Sequence, residues 1–199
     1  EYILDAHKGF LPIEIEAVPE GSVLPLKNVM AQIINTDPRC AWVTSYIETA
    51  LLRAVWYPTT VATVSYRCKE IISRYLAETA DNLESLPFKL HDFGARGCSS
   101  EETAAVGGLA HLVNFQGTDT LSAILAAQQY YDAPMAGYSI PAAEHSTITS
   151  WGKAGEKAAY ANMLDQFSAP GKLVAVVSDS YDLWNAIENL WGDELKDKV

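Results

Sequence analysis

The residues KLHDFGARGCSS, Lys89–Ser100, combine a short strand, a polar strand end with two glycines, and the start of a helix. The same order recurs later in the chain at Leu112–Asp119, Tyr138–His145 and Val174–Asp179. The four predicted strands start at about residues 88, 112, 138 and 172, and this spacing is typical of parallel βα units because it leaves room for one helix after each strand. We therefore expect the four strand ends to form the walls of one site.

Two architectures are built from such units, a doubly wound sheet and a barrel. A doubly wound sheet usually binds nucleotides through a G-x-G-x-x-G turn after its first strand, whereas Gly107 and Gly108 fall inside a helical pattern. A barrel places its functional residues at the ends of many strands, as this sequence does. We predict an α/β fold in which residues 86–199 form the first four βα units of an incomplete (β/α) barrel of parallel strands.

A different pattern precedes this barrel portion. Apolar and charged residues alternate in IEIEAV, residues 13–18, and a Pro-Glu-Gly turn separates this run from a second extended stretch, which predicts antiparallel strands. Asp37 and Pro38 predict the cap and the first residue of a helix, and Pro58 predicts the start of a second helix. Residues 1–85 are expected to form a mixed α/β segment with antiparallel strands and two helices.

Several predicted helix starts coincide with candidate site residues. Ser99 and Glu102 have the spacing of a capping box. Asp119 and Asp179 directly precede helical patterns, so each is a candidate helix cap as well as a candidate ligand-binding residue. The residue types alone leave both alternatives open.

Composition restricts the possible partners. The 199 residues carry a formal net charge of -11, and no Lys/Arg cluster is present, which argues against a nucleic-acid or anionic-membrane surface. No apolar run approaches the length that spans a bilayer. The three cysteines, Cys40, Cys68 and Cys98, are too scattered for a disulfide framework or a metal-spaced pair, so a reduced, cytoplasmic setting is expected.

The predicted strand ends carry charged and aromatic side chains: Asp92, Phe93, Arg96, Asp119, Glu144, His145 and Asp179. Arg96 can bind a phosphate beside a helix N-terminus, or it can form a surface pair with a neighbouring Glu. Asp92 can equally cap a backbone turn. His91 and His111 are predicted to be packed or edge residues of strands. Such a set suits an anion, a flat polar ring and a divalent cation.

No motif in the chain specifies a reaction. The G-x-S-x-G elbow, the H-E-x-x-H pair and the phosphate-binding P-loop are all missing from the sequence, so hydrolase, zincin and Walker-type readings have no support. The residues by themselves therefore predict a barrel-like site for an anion and a small molecule.

The chain closely resembles the nicotinamide phosphoribosyltransferases, which are type II phosphoribosyltransferases, in the ordered blocks HDFGARG, SSEETA, LVNFQGTDT, YSIPAAEHSTITSWG and VVSDSYDLWNA. The resemblance extends upstream through LPIEIEAVPEG, NTDP and WYPTTVAT. It implies an enzyme that condenses nicotinamide with 5-phosphoribosyl 1-pyrophosphate in NAD biosynthesis, as a homodimer with shared active sites. The family's later ribose-phosphate blocks do not occur here, so we expect this chain to be the central portion of such an enzyme.

The resemblance also implies a role for each matching residue. Phe93 would stack on the nicotinamide ring, Asp119 would accept a hydrogen bond from the carboxamide, and Arg96 would bind the diphosphate. His145 would contact the diphosphate and become phosphorylated when ATP hydrolysis is coupled to the reaction. Asp179 would hold a ribose hydroxyl, a water or Mg²⁺. His145 and Asp179 are thus the predicted catalytic residues, and no residue is assigned as a direct metal ligand.

Two alternatives accompany this prediction. The first is a nicotinate phosphoribosyltransferase, a related enzyme in which the base carries a carboxylate in place of the carboxamide. The second, from a different class, is a non-catalytic fragment or a structural or signalling module, because the ribose-phosphate blocks do not occur in the sequence.

Overall fold

The computed structural model describes all residues, Glu1–Val199, and they pack into two compact units, Glu1–Tyr138 and Ser139–Val199. The boundary predicted from the sequence near residue 85 follows a change of sequence pattern, whereas the division at Tyr138 follows packing. The assignment of residues 1–85 and 86–199 to separate segments stays a prediction.

The first unit contains four helices and four strands: α1 (Tyr2–His7), β1 (Ile13–Ala17), β2 (Ala31–Asn35), α2 (Trp42–Thr79), β3 (His91–Asp92), α3 (Glu101–His111), β4 (Gly117–Thr118) and α4 (Leu121–Tyr131). β1 and β2 are antiparallel, with Ile13 opposite Asn35, so the predicted antiparallel pair is present. Asp37 caps a short 3₁₀ turn, Pro38–Cys40, by accepting a hydrogen bond from the Arg39 amide at 2.9 Å.

The prediction of two helices between residues 42 and 79 is wrong, because α2 is one continuous helix of 38 residues with Pro58 inside it. A proline within a helix lacks one amide donor and costs about 3 kcal/mol. Packing against the rest of the unit offsets that cost: Val43 is completely buried, and Asn114 donates hydrogen bonds to the Ala62 carbonyl and the Ser65 hydroxyl. No helix of the protein combines the length and apolarity that a membrane span requires.

The parallel sheet of the first unit is small. β3 and β4 pair in parallel, with His91 opposite Gly117 and Asp92 opposite Thr118, and Tyr138 forms an isolated parallel bridge to Gly117. The fold is therefore mixed α/β and helix-rich with small sheets, and the predicted barrel is not seen. The strands are short because a 3₁₀ turn, Gly94–Gly97, follows β3 and because the residues after α3 turn back on its last carbonyls before β4 begins.

Gly107 and Gly108 lie inside α3, as predicted, and they let three helices approach closely. A Cβ atom on Gly107 would lie 2.7 Å from the Tyr57 hydroxyl of α2, and one on Gly108 would lie 2.6 Å from the Ala123 Cβ of α4. The N-cap of α3 is Ser100, which accepts from the Thr103 amide at 3.1 Å, so the cap lies one residue after the predicted Ser99.

The second unit contains three helices and a π-helical segment: α5 (His145–Thr149), α6 (Glu156–Phe167), α7 (Leu183–Asn185) and the segment Ala186–Glu194. Its core includes Ile148 and Tyr160, whose ring stacks on Trp191 with centroids 4.8 Å apart. A parallel bridge joins Ala142 to Ala175. The third and fourth predicted strands are thus reduced to single bridges in the structure.

Candidate active site

Asp92 and Asp119 meet where β3 and β4 end, as the sequence predicted for neighbouring strand ends. The Asp119 amide donates to the Asp92 carbonyl at 2.9 Å, which continues the parallel pairing beyond the strands. The Asp92 carboxylate accepts from the Gly94 amide at 2.7 Å. Asp92 therefore caps the turn after β3, and its role is to hold the backbone there.

Phe93 and Arg96 are presented by that same turn. Phe93 precedes the 3₁₀ turn and is 45% exposed, and Arg96 lies exposed within it. Because Asp92 holds the start of the turn, an aromatic ring and a guanidinium are displayed three residues apart beside the end of β4. An aromatic face and a forked cation suit a flat base and a phosphate group, respectively.

Asp119 has a partner that sequence reasoning missed. Its Oδ1 lies 2.9 Å from His91 Nε2, and the His91 ring stacks on Phe93 with centroids 4.4 Å apart and an angle of 28° between the rings. The spacing of the residues offered no clear signal, because β3 ends at Asp92 and Phe93 lies outside the strand. His91 had been predicted to be only a packed or edge residue.

Asp119 is not the cap of α4. The N-cap position is Thr120, and the Thr120 amide donates to Thr118 Oγ1 at 3.0 Å. The prediction that Asp119 caps this helix is therefore wrong. Because Thr118 satisfies the backbone at this point, the Asp119 side chain is directed to His91 and stays 43% exposed.

A second histidine, His111, forms a hydrogen bond to the backbone of β4. His111 was predicted to lie in a strand, but it is the last residue of α3 and is buried. Its Nε2 donates to the Gly117 carbonyl at 2.9 Å, and burial lowers its pKa because the charged ring would lose its hydration. His111 therefore has a structural role.

The second unit brings His145 and Asp179 together. His145 Nε2 lies 2.8 Å from Asp179 Oδ1, and the two side chains are 62% and 58% exposed. His145 is the first residue of α5, and Glu144 precedes it as the N-cap, whose amide donates to the Thr147 hydroxyl at 3.0 Å. Glu144 therefore organises the helix start that carries His145.

Asp179 was a candidate helix cap, and the structure assigns that role to another residue. Asp182 is the N-cap of α7 and accepts from the Asn185 amide at 3.0 Å. Asp179 is therefore not the cap and bonds to His145 instead. The predicted site residues thus form two groups, Phe93 with Arg96 and Asp119 in the first unit and His145 with Asp179 in the second.

In the second group, Asp179 is the residue that could bind Mg²⁺. No set of three or more His, Cys, Asp or Glu side chains is arranged to hold a metal ion. Mg²⁺, however, commonly keeps several waters and binds through one or two carboxylates together with substrate phosphates. The exposed Asp179 carboxylate fits that mode of binding, in which waters and substrate phosphates supply the other ligands.

Comparison with known proteins assigns the class. A family model described as the nicotinate phosphoribosyltransferase (NAPRTase) family matches residues 88–199, which contain every candidate residue described above. The chain therefore belongs to the nicotinate phosphoribosyltransferase family, and the resemblance noted in its sequence blocks is confirmed.

More particular relatives are named nicotinamide phosphoribosyltransferase. The protein of Xanthomonas campestris pv. campestris is 61% identical over 198 residues, which cover 99% of this chain and 42% of the relative. The protein of Acinetobacter baylyi is 36% identical over an alignment that covers 90% of this chain and 35% of the relative. The protein of Mycoplasma pneumoniae is 35% identical over an alignment that covers 100% of this chain and 41% of the relative. The chain thus spans less than half the length of these curated relatives.

Proposed function

We propose that this chain contributes base-binding and diphosphate-binding residues to a nicotinamide phosphoribosyltransferase. The reaction joins nicotinamide to 5-phosphoribosyl 1-pyrophosphate and gives nicotinamide mononucleotide and diphosphate, a step of NAD biosynthesis. The observation that carries the proposal is the exposed carboxylate of Asp119 beside the exposed ring of Phe93, at the strand ends of a chain whose relatives bear this name.

The first group of residues suits an aromatic amide. Phe93 offers a face on which a pyridine ring can stack, and the Asp119 carboxylate can accept a hydrogen bond from the carboxamide nitrogen. An ionised carboxylate cannot donate to the carboxylate of nicotinate and repels it. The pair therefore favours nicotinamide over nicotinate.

Arg96 and His145 are proposed to act on the diphosphate. Glycosyl transfer through a cation-like ribose centre needs positioning and stabilisation of the leaving group more than proton transfer. Arg96 can fork two hydrogen bonds onto a phosphate, and the exposed imidazole of His145 can add a further contact to the diphosphate. When bound, Mg²⁺ would neutralise part of the diphosphate charge, and Asp179 is the residue of this chain that would hold it or a ribose hydroxyl.

Coupling to ATP is proposed to involve His145. Its imidazole, exposed and oriented by Asp179, can accept the γ-phosphoryl group of ATP on a ring nitrogen while ADP leaves. Because Nε2 bonds to Asp179, the ring orientation is set before the phosphoryl group arrives. ATP would then act as an activator of synthesis.

A nicotinate-specific enzyme is the second candidate, and the description of the matching family favours it. Steady-state turnover of both bases by the full-length protein, with phosphoribosyl pyrophosphate and Mg²⁺, separates the two. We expect nicotinamide mononucleotide to form with the higher kcat/KM. A preference for nicotinate would reject the assignment.

A non-catalytic fragment or a structural or signalling module is the alternative from a different class. Intact mass spectrometry of the protein purified from its source, together with an assay of the same sample, distinguishes the cases. A mass of only this chain, without a companion chain and without turnover, would support the non-catalytic alternative.

We further propose a cytoplasmic homodimer with shared active sites. α2 displays several large apolar side chains that are more than half exposed: Trp42, Tyr46, Trp56, Val64, Ile71 and Tyr75. Exposed apolar surface of this kind favours association, and the three free cysteines suit a reducing compartment. Analytical ultracentrifugation of the full-length protein should show a dimer, and a monomer at every concentration would contradict it.

A further inference from the structure

We propose that His91 is a positioning residue for base selection, which orients the Asp119 carboxylate and supports one face of the Phe93 ring. The inference rests on the proposed function, because it takes Phe93 and Asp119 as the residues that bind the base. One side chain would thus set both the stacking surface and the hydrogen-bond acceptor for the ligand.

The first argument is that a single ring makes both contacts. His91 Nε2 lies 2.9 Å from Asp119 Oδ1, and the same imidazole stacks on Phe93 at a centroid distance of 4.4 Å. A carboxylate oxygen only accepts hydrogen bonds, so Nε2 must carry the hydrogen that it donates to Asp119. Rotation of the His91 ring would therefore disturb the stack and the hydrogen bond together.

The second argument is that His91 is a fixed part of the protein. Its side chain is only 10% exposed, whereas Asp119 is 43% and Phe93 is 45% exposed. A Cβ atom on Gly117 would lie 2.7 Å from His91 Nδ1, so the ring lies directly against the backbone of β4. A ligand therefore meets Phe93 and Asp119 on their exposed sides, while His91 lies behind both residues.

These contacts have a consequence for selectivity. A donor held against Asp119 Oδ1 restricts rotation of the carboxylate, so that it presents an acceptor in one direction towards the ligand. A base whose exocyclic group can donate, a carboxamide, gains from that geometry, whereas a carboxylate does not. Loss of the His91 hydrogen bond should therefore weaken discrimination between amide and acid, and affect phosphoribosyl pyrophosphate far less.

The test compares two substitutions that separate the two contacts in the full-length protein. His91→Phe keeps an aromatic ring for the stack but removes the hydrogen bond, and it should raise the nicotinamide KM about tenfold and lower the nicotinamide-to-nicotinate ratio of kcat/KM. His91→Gln keeps an amide donor near the position of Nε2, and it should recover most of that ratio. The KM for phosphoribosyl pyrophosphate should stay unchanged in both variants.

A matched control comes from another histidine–aspartate pair of the first unit. His7 Nε2 lies 2.8 Å from Asp37 Oδ2, remote in sequence from the base-binding residues, so His7→Phe should leave both KM values and the base ratio unaltered. If His91→Phe fails to fold, Gly117→Ala serves instead, because its methyl group must displace the His91 ring, and it should lower the base ratio in the same way.

The outcomes separate this inference from the proposed function. If the wild-type protein does not use nicotinamide, the proposed function fails. If it does, and Asp119→Ala changes the base ratio while His91→Phe and Gly117→Ala do not, then His91 has no positioning role. An increase in the phosphoribosyl pyrophosphate KM equal to that of the nicotinamide KM would also overturn the inference, because it would indicate general damage.

Discussion

The two units each contain a histidine–aspartate pair with nearly the same hydrogen-bond length but a very different environment. In the first, His91 is 10% exposed and bonds to Asp119 at 2.9 Å across two parallel strands. In the second, His145 is 62% exposed and bonds to Asp179 at 2.8 Å at the start of a short helix. The His91 ring is packed into the protein framework, whereas the His145 ring is accessible to reactants.

This difference shows that the same pair of residue types can serve opposite purposes. A hydrogen bond to a packed ring keeps its geometry because the neighbouring atoms restrict the ring, while an exposed pair is screened by water and is worth little for stability. The first pair therefore suits ligand selection. The second suits the proposed chemistry, in which His145 would take up and release a phosphoryl group.

The largest effect is expected for Arg96→Ala. This variant tests whether the first unit, which is proposed to bind the base, also stabilises the diphosphate leaving group. Removing a cation that neutralises the diphosphate should lower kcat by about 10²-fold and raise the KM for phosphoribosyl pyrophosphate, if the contact strengthens in the transition state. Steady-state kinetics with each substrate varied in turn measures both. Arg96→Lys should recover only part of the loss, since an ammonium cannot form the forked contact.

A different outcome for Arg96 would change the roles proposed for the two units. A rise in the nicotinamide KM alone, with unchanged kcat, would place Arg96 at the base. The first unit would then have no share in stabilising the diphosphate.

A smaller effect is expected for Asp119→Ala, which should raise the nicotinamide KM about tenfold and relax the preference for amide over acid, since one hydrogen bond to a charged group is lost. Asp179→Ala is the matched variant from the other unit and should leave the base preference unaltered. Phe93→Ala should weaken binding of both bases equally, because stacking does not distinguish the exocyclic groups.

The melting temperature sharpens the result for Asp119. Because Thr120 occupies the N-cap position of α4, Asp119→Ala should remove no helix cap, and any loss of thermal stability should come from the lost hydrogen bond to His91. Lower stability combined with an unaltered nicotinamide KM would show that Asp119 is structural and that the base-selecting residue lies elsewhere.

His145→Ala should abolish stimulation by ATP and leave much of the basal synthesis intact, because phosphoryl transfer needs the ring and base binding does not. Rates with and without ATP, and ³²P labelling of the protein from γ-labelled ATP, measure the two effects. His91→Phe is the control and should retain the labelling. If labelling persists in His145→Ala, another residue accepts the phosphoryl group, and the His145–Asp179 pair does not differ from the His91–Asp119 pair in the proposed way.

The smallest effect on activity is expected from changes to a third histidine–aspartate pair, His7 and Asp37. Loss of this pair should affect stability alone, unlike loss of the two pairs proposed to act in the reaction. Hydrogen bonds from Tyr2, His7 and the Arg39 amide lower the Asp37 pKa from its ordinary 3.8 to about 2. The stabilisation is therefore complete above pH 3.8 and is lost as the pH falls through about 2.

Thermal melts between pH 2 and 7 test this pH dependence. Asp37→Asn should melt below the wild type at neutral pH, and the difference should shrink towards pH 2 while kcat/KM at neutral pH is maintained. A difference that is constant with pH would show that the Asp37 charge is not responsible.

Local patterns predicted much of the candidate site. Strand ends that repeat along the chain pointed to Phe93, Asp119 and His145, and the structure presents all three side chains at the surface, two of them hydrogen-bonded to a partner. The pairing of His145 with Asp179 follows the same pattern of strand ends. His91 was missed because a histidine within a strand is usually a packing residue, and only its neighbours show that it bonds to Asp119.

Asp37 was correctly predicted as a cap, although of a 3₁₀ turn, but the caps of α3, α4 and α7 and the long helix could not be predicted from local signals. Several Ser, Thr and Asp residues precede each helix, and the backbone path selects one of them, here Ser100, Thr120 and Asp182. Pro58 is a strong local signal for a helix start, yet α2 continues through it because contacts with distant residues such as Asn114 offset the missing hydrogen bond.

The sequence by itself determined the family, the antiparallel pair, the order of strand ends and the residue types proposed to bind a base and a phosphate, because these depend on local periodicity and on ordered blocks. Only the tertiary structure decided that Asp119 and Asp179 bond to histidines instead of capping helices, and that the His91 ring is packed while the His145 ring is open. The reason is that a hydrogen-bond partner and a degree of burial are set by residues about 30 positions away along the chain, which no local pattern encodes.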